Sequence, residues 1–134
     1  MKGVDIAARA CAVVGARFRP QGRSAREGID CVGVAAFACG IHSERVRRNY
    51  ALRGYAPEEI ERQLSELGCR RVAGNVLELG DIALCRPGPA QYHLIVITPC
   101  GFVHADAGLR RVVQRPYPIP WTLVSAWRFA REQF

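Results

Sequence analysis

Apolar positions recur at helical spacing early in the chain and at strand spacing late. Between Asp5 and Val14, the residues Ile6, Ala10, Val13 and Val14 share one face, which predicts a helix that Gly15 ends. Glycines, a proline and arginines then break the pattern from Ala16 to Ile29 and predict an irregular loop. A second helix is predicted to start at Asp30 or Cys31. Asp30 is a good N-cap, Val34, Ala35, Phe37 and Ala38 form its apolar stripe, and Gly40 closes it. His42 to Tyr55 is basic and poorly patterned, as in a surface connection. Ala56 to Leu67 predicts a third helix, with Pro57 in its first turn, Glu58 and Glu59 beside it, and Gly68 at its exit.

After Gly68 the period changes. Asp81 to Cys85, Tyr92 to Thr98, Phe102 to Ala105, Leu109 to Gln114 and Leu123 to Phe129 are short runs rich in β-branched or aromatic residues. Helices first and strands second is the order of an α+β domain, with helices packed on an antiparallel sheet. No internal repeat or low-complexity stretch interrupts it.

The 134 residues suit one domain spanning 1–134. A chain of this size buries about two-thirds of its unfolded surface. With 49% hydrophobic and 23% charged residues, disorder, collagen and coiled coil are excluded as whole-chain answers. No stretch approaches the roughly 18 apolar residues of a membrane span. Asp5 and Arg9 interrupt what a signal peptide would need as its apolar stretch, so synthesis in the cytoplasm without an export signal is expected. The net charge is +7, and of the 19 basic residues only Lys2 is a lysine. Arg45, Arg47 and Arg48, Arg70 with Arg71, and Arg110 with Arg111 form no continuous stripe and no nucleic-acid-binding motif, so no nucleic-acid partner is expected. The six cysteines never form C-x-x-C, so neither a metal nor another cofactor is expected.

One cysteine stands apart. In Gly28-Ile29-Asp30-Cys31-Val32-Gly33-Val34, Cys31 falls in the first turn of an apolar helix. The partial positive charge there favours a thiolate, and the free first-turn N–H groups can bind an oxyanion. Asp30 opposes the thiolate unless its carboxylate turns toward the backbone. Gly33 lets a substrate or a neighbouring segment approach. A nucleophilic cysteine needs an imidazole base and a group to orient it. His93 and His104 can fill these roles if both face one side of a hairpin. A four-residue turn from Thr98 to Gly101 sets His104 opposite Ile95, making the two rings diagonal neighbours about 7 Å apart at Cβ. A two-residue turn at Cys100-Gly101 sets it opposite Ile97, roughly 13 Å from His93. His42 is assigned no role.

Cys31 in G-x-D-C-x-G, Gly80-Asp81-Ile82-Ala83-Leu84, His93-Leu94-Ile95-Val96-Ile97 and Phe102-Val103-His104-Ala105, in this order and spacing, resemble the NlpC-type cell-wall peptidases. The resemblance runs from about Val4 to Phe129. It implies a papain-like fold and a cysteine hydrolase cutting peptidoglycan stem peptides, typically after the γ-linked D-glutamyl residue. It implies Cys31 as nucleophile, His93 as base and His104 as the residue orienting the base. Asp30 matches an acidic position implicated in holding the substrate's free amine. Phe18-Arg19-Pro20 falls where the family has a tyrosine and often a tryptophan, and Val32 replaces a common serine. Phe18, Val32 and Gly33 join Asp30 as the expected substrate-facing set. The lost hydroxyl at Phe18 bears on substrate choice.

The form without a signal resembles small peptidases of phage tail modules and gene-transfer-agent clusters, which implies tail proteins as partners and delivery to the wall by a virion. Two alternatives remain open. One is a papain-like amidase or acyltransferase on another substrate, the other a non-catalytic virion tail adaptor; a nucleic-acid binder, suggested by the charge alone, is weighed against by the scattered arginines.

Overall fold

The computed structural model describes residues 2–46 and 57–129. Helix α1 spans Gly3–Ala12, α2 Cys31–Ala38 and α3 Pro57–Glu66. Strands β1 (Arg23–Ser24) and β2 (Gly28–Ile29) form a small hairpin. Strands β3 (Cys69–Val72), β4 (Ile82–Gly88), β5 (Gln91–Thr98), β6 (Gly101–Asp106), β7 (Arg111–Pro116) and β8 (Thr122–Phe129) form one sheet in the order β3-β8-β4-β5-β6-β7. Every pairing in that sheet is antiparallel, as the order of periodicities predicts.

The helices occupy one face of the sheet. α2 is apolar on nearly every side, and Cys31, Gly33, Val34, Ala35, Ala36 and Ala38 are all buried. Such a helix belongs between other elements, and it packs against α1 and β5. On α1, Ile6, Ala7 and Ala10 are buried. Ile82, Leu84, Leu94, Val96, Val103 and Val112 complete this core. Alternate strand residues, namely Ala83, Cys85, Ile95, Ile97 and Phe102, point to the opposite face, where Leu77, Ile119, Trp121 and Leu123 cover them. The central strands are thus buried on both sides.

The helix reading needs small corrections. α1 begins two residues earlier than the periodicity predicts and ends before Val14, which is exposed. Gly15 follows at φ +95°, a conformation suited to glycine. α2 begins at Cys31, with the Asp30 side chain accepting from the Gly33 N–H at 2.9 Å. The start of α3 predicted at Ala56, and the connection from 47 to 55, lie outside the described residues. Ser43–Arg45 forms a single 3-10 turn.

Three strand features depart from expectation. The segment predicted as an irregular loop contains the β1–β2 hairpin, and β3 follows Gly68 at the sheet edge. β7 starts at Arg111, leaving Leu109 exposed in the turn before it. Gly80 explains one tight junction: a Cβ there would meet the Gly3 carbonyl oxygen at 2.5 Å, so glycine lets α1 close onto the start of β4. Beside it, buried Asp81 holds Arg128 of β8 with two bonds, 2.8 Å from Nε and 2.9 Å from Nη2. Among the described residues no helix is long and apolar enough to cross a membrane.

Candidate active site

Register brings the two histidines together. β5 and β6 pair Thr98 with Gly101, Ile97 with Phe102 and Val96 with Val103. Continuing that ladder sets His104 level with Ile95, diagonal to His93. This is the arrangement expected for a turn from Thr98 to Gly101. His93 Nε2 lies 2.7 Å from His104 Nδ1. The rings meet edge to face with centroids 4.9 Å apart.

Cys31 reaches the same place from the other side. As the first residue of α2 it is placed by the Asp30 cap, and its thiol lies against the backbone of Leu94, the residue after His93. Cys31, His93 and His104 line one cavity of about 420 Å³ with Phe18, Tyr92 and Trp121. Ala105, Asp106, Ala107 and Gly108 form another part of its wall.

Burial favours the neutral forms of Cys31, His93 and His104. Burial pushes the Cys31 thiol up to about 12, and the charge of Asp30 pushes the same way against backbone hydrogen bonds from Leu94, Val32 and Cys31 itself. The thiolate expected from the helix start alone is therefore corrected: desolvation outweighs the helix dipole. Burial lowers His93 to about 3, the neighbouring His104 adds to this, and Asp106 opposes it. Burial lowers His104 to about 4, with Asp106 opposing and Arg115 adding. Burial thus favours a thiol at Cys31 and a neutral imidazole at His93, two groups that line the same cavity.

The expected substrate-facing residues divide. Phe18 lines the cavity. Asp30 is buried behind it: Oδ1 accepts from Gly33 N–H at 2.9 Å and from Arg23 Nη1 at 3.2 Å, and Oδ2 from Gln21 N–H at 2.8 Å. Holding a substrate amine would require Asp30 to give up some of these contacts. Gly33 faces the preceding loop, where a Cβ would meet the Gly22 carbonyl oxygen at 2.4 Å. Val32 lines a separate apolar cavity between α2 and α3.

Two residues of the site escaped the sequence reading. Trp121 meets His93 at 5.4 Å and His104 at 5.1 Å between centroids, both edge to face, and covers the pair. It follows Pro118 and Pro120, a stretch that reads as a connection and gives no periodic signal. Asp106 lies two residues beyond His104, hence on its side of the strand, and this spacing was a usable signal. Among the described residues no group of three His, Cys, Asp or Glu side chains is placed to hold a metal ion.

The fold is that of NlpC/p60 domains. NlpC1 from Trichomonas vaginalis superposes with a TM-score of 0.68 at 17% identity, over 95% of this chain and 44% of that one. The NlpC/p60 domain of the peptidoglycan hydrolase SagA gives 0.60 at 17% identity, over 94% of this chain and 97% of that one. An NlpC/p60 family protein from Bacillus cereus ATCC 10987 gives 0.68 at 18% identity, over 98% of this chain and 41% of that one. The chain thus spans less than half the length of two of these three. No family model matches the sequence. No curated protein matches it either.

Proposed function

We propose that the protein is a cell-wall cysteine peptidase that hydrolyses an amide bond in peptidoglycan stem peptides, on the carboxyl side of a γ-linked D-glutamyl residue. The observation carrying this reading is the shared cavity: a cysteine at the start of a buried helix faces the same space as a hydrogen-bonded histidine pair. The NlpC/p60 fold, found also in a peptidoglycan hydrolase, supports the substrate class.

His93 Nε2 is taken up by His104, so Nδ1 is the nitrogen left to serve the thiol. For Nδ1 to accept a proton, Nε2 must carry one and donate it to His104 Nδ1. His104 then carries its own proton on Nε2, a buried atom with no protein partner among the described residues. Substrate entry brings the thiol proton to His93 Nδ1 as Sγ attacks the carbonyl carbon. The Cys31 backbone N–H faces the developing oxyanion. His93 returns the proton to the leaving amine as the C–N bond breaks, leaving a thioester on Cys31. Water, deprotonated by His93, then releases the acid and restores the thiol. His104 keeps the imidazole in the working tautomer.

The reading extends to delivery by a phage or gene-transfer-agent tail, with tail proteins as partners. Purified peptidoglycan incubated with the protein should release fragments with new D-glutamyl termini, seen by mass spectrometry. Full release by Cys31→Ala protein would overturn the proposal. The burial of the thiol favours one second reading, a tail adaptor that keeps the fold without the chemistry. An inert wild-type protein that nonetheless assembles with tail proteins would select it.

A further inference from the structure

Three arginines converge beside the catalytic cavity. The segment from Gly15 to Phe18 runs along the start of β7. Gly15 N–H donates to the Val112 carbonyl at 2.8 Å, Val112 N–H to the Ala16 carbonyl at 2.9 Å, and Phe18 N–H to the Arg110 carbonyl at 3.0 Å. This pairing sets Arg17 directly opposite Arg111 in an antiparallel bridge. Like charges in that position repel and cost stability. Arg110, between the turn and the strand, sits at φ +59°, a conformation that disfavours a residue with a Cβ. Arg128 pairs with Asp81 and Glu78, Arg71 with Glu61, and Arg62 with Glu59. Among the described residues no carboxylate pairs with Arg17, Arg110 or Arg111.

These arginines line a cavity of about 720 Å³ with Gly15, Phe18 and Leu109, and no acid contributes to it. Phe18 is shared with the catalytic cavity. One turn walls both, with Asp106 to Gly108 on the catalytic side and Leu109 to Arg111 on the basic side.

We propose that Arg17, Arg110 and Arg111 form an anion subsite that takes a carboxylate of the peptide being cleaved, with Phe18 as the partition between this group and the scissile amide. The repulsion between Arg17 and Arg111 is relieved when the carboxylate arrives. Arginine is suited to this task, because its planar fork binds carboxylates with two parallel hydrogen bonds. The inference rests on the proposed peptidase reading for its substrate, but its charge chemistry can be read without turnover.

The test compares a stem peptide bearing free carboxylates with the same peptide carrying carboxamides. The variant is Arg17→Gln/Arg110→Gln/Arg111→Gln, with melting temperature as the folding control. On the carboxylate peptide KM should rise about 10-fold or more with kcat little changed, since charge-assisted contacts are lost. On the carboxamide peptide it should not. The three Arg→Lys changes should restore part of the affinity, and added salt should weaken wild-type binding. Equal effects on both peptides, or none, would overturn the subsite.

A second arm alkylates Cys31 at pH 9 with anionic iodoacetate and neutral iodoacetamide, followed by peptide mapping. The wild type should favour iodoacetate severalfold more than the triple glutamine variant does. An unchanged ratio counts against the subsite. If neither peptide is cleaved by the wild type, the peptidase reading fails and this ratio alone decides the subsite.

Discussion

His93 Nε2 and His104 Nδ1 stand 2.7 Å apart, a hydrogen bond between two imidazoles rather than between an imidazole and an acid. In the proposed mechanism a neutral partner orients the base without adding charge, so it stabilises the imidazolium less than a carboxylate would. His93→Ala should lower kcat for wall-peptide cleavage by about 10²–10⁴-fold, the usual worth of a general base. His104→Ala should cost less, because Trp121 still packs on His93. His104→Asn, which offers an amide oxygen as acceptor, should recover part of that loss. Single-turnover kinetics would measure all three, and an innocuous His93→Ala would refute the assignment.

Both imidazoles are held below their ordinary value, and this fixes the sign of the pH dependence. Unfolded histidine takes up a proton near pH 6.5. Burial holds the native pair to about 3 and about 4. Between pH 6.5 and 4 the unfolded chain therefore binds protons that the native state does not, and stability falls as pH falls through that window. The urea midpoint should be lower at pH 5 than at pH 7, and the slope should flatten in a His93→Gln/His104→Gln protein. A double variant with the wild-type slope would show that other groups carry it. By the same shift, the acid limb of kcat/KM should lie below pH 6.

Much of the fold is legible because the signals are local. Asp30, Gly40 and Gly68 mark helix ends, and the strands announce themselves by period. The hairpin register is open to two turns in the sequence, and the Thr98–Gly101 pair selects one. What the sequence hides is whatever depends on burial or on distant pairing. The helix start at Cys31 argues for a thiolate, and only packing shows that desolvation wins. Asp30 reads equally as a cap and as a substrate ligand, and only Arg23 and Gln21 show where its oxygens point. Trp121 reaches the histidines across a proline-rich connection that no spacing rule decodes.

The buried, protonated Cys31 changes what a thiol probe should see. The thiolate is the reactive species, and a thiol near 12 supplies almost none at pH 7. Cys100 is exposed, so iodoacetamide at neutral pH should label it before Cys31. Cys31 labelling should keep rising with pH up to 9 without a plateau. A plateau below pH 8 would mean that Cys31 and His93 form an ion pair at rest.

The Asp81–Arg128 pair bears on stability and does not line the cavity of Cys31 and the two histidines. Asp81 is fully buried, while Arg128 is about a quarter exposed at 27%. Its carboxylate also accepts from the Glu78 N–H at 2.8 Å, which leaves it poorly able to rotate toward water. Arg128→Leu strands this charge in the interior and should destabilise by about 3 kcal/mol, the low end of what breaking a buried pair costs. Asp81→Asn leaves an arginine that can turn to solvent, so it should cost less. Denaturant unfolding would rank the two. If Asp81→Asn proved the more damaging, the bonds to Glu78 and the β4 start would be the part that matters, and the ion pair would be secondary.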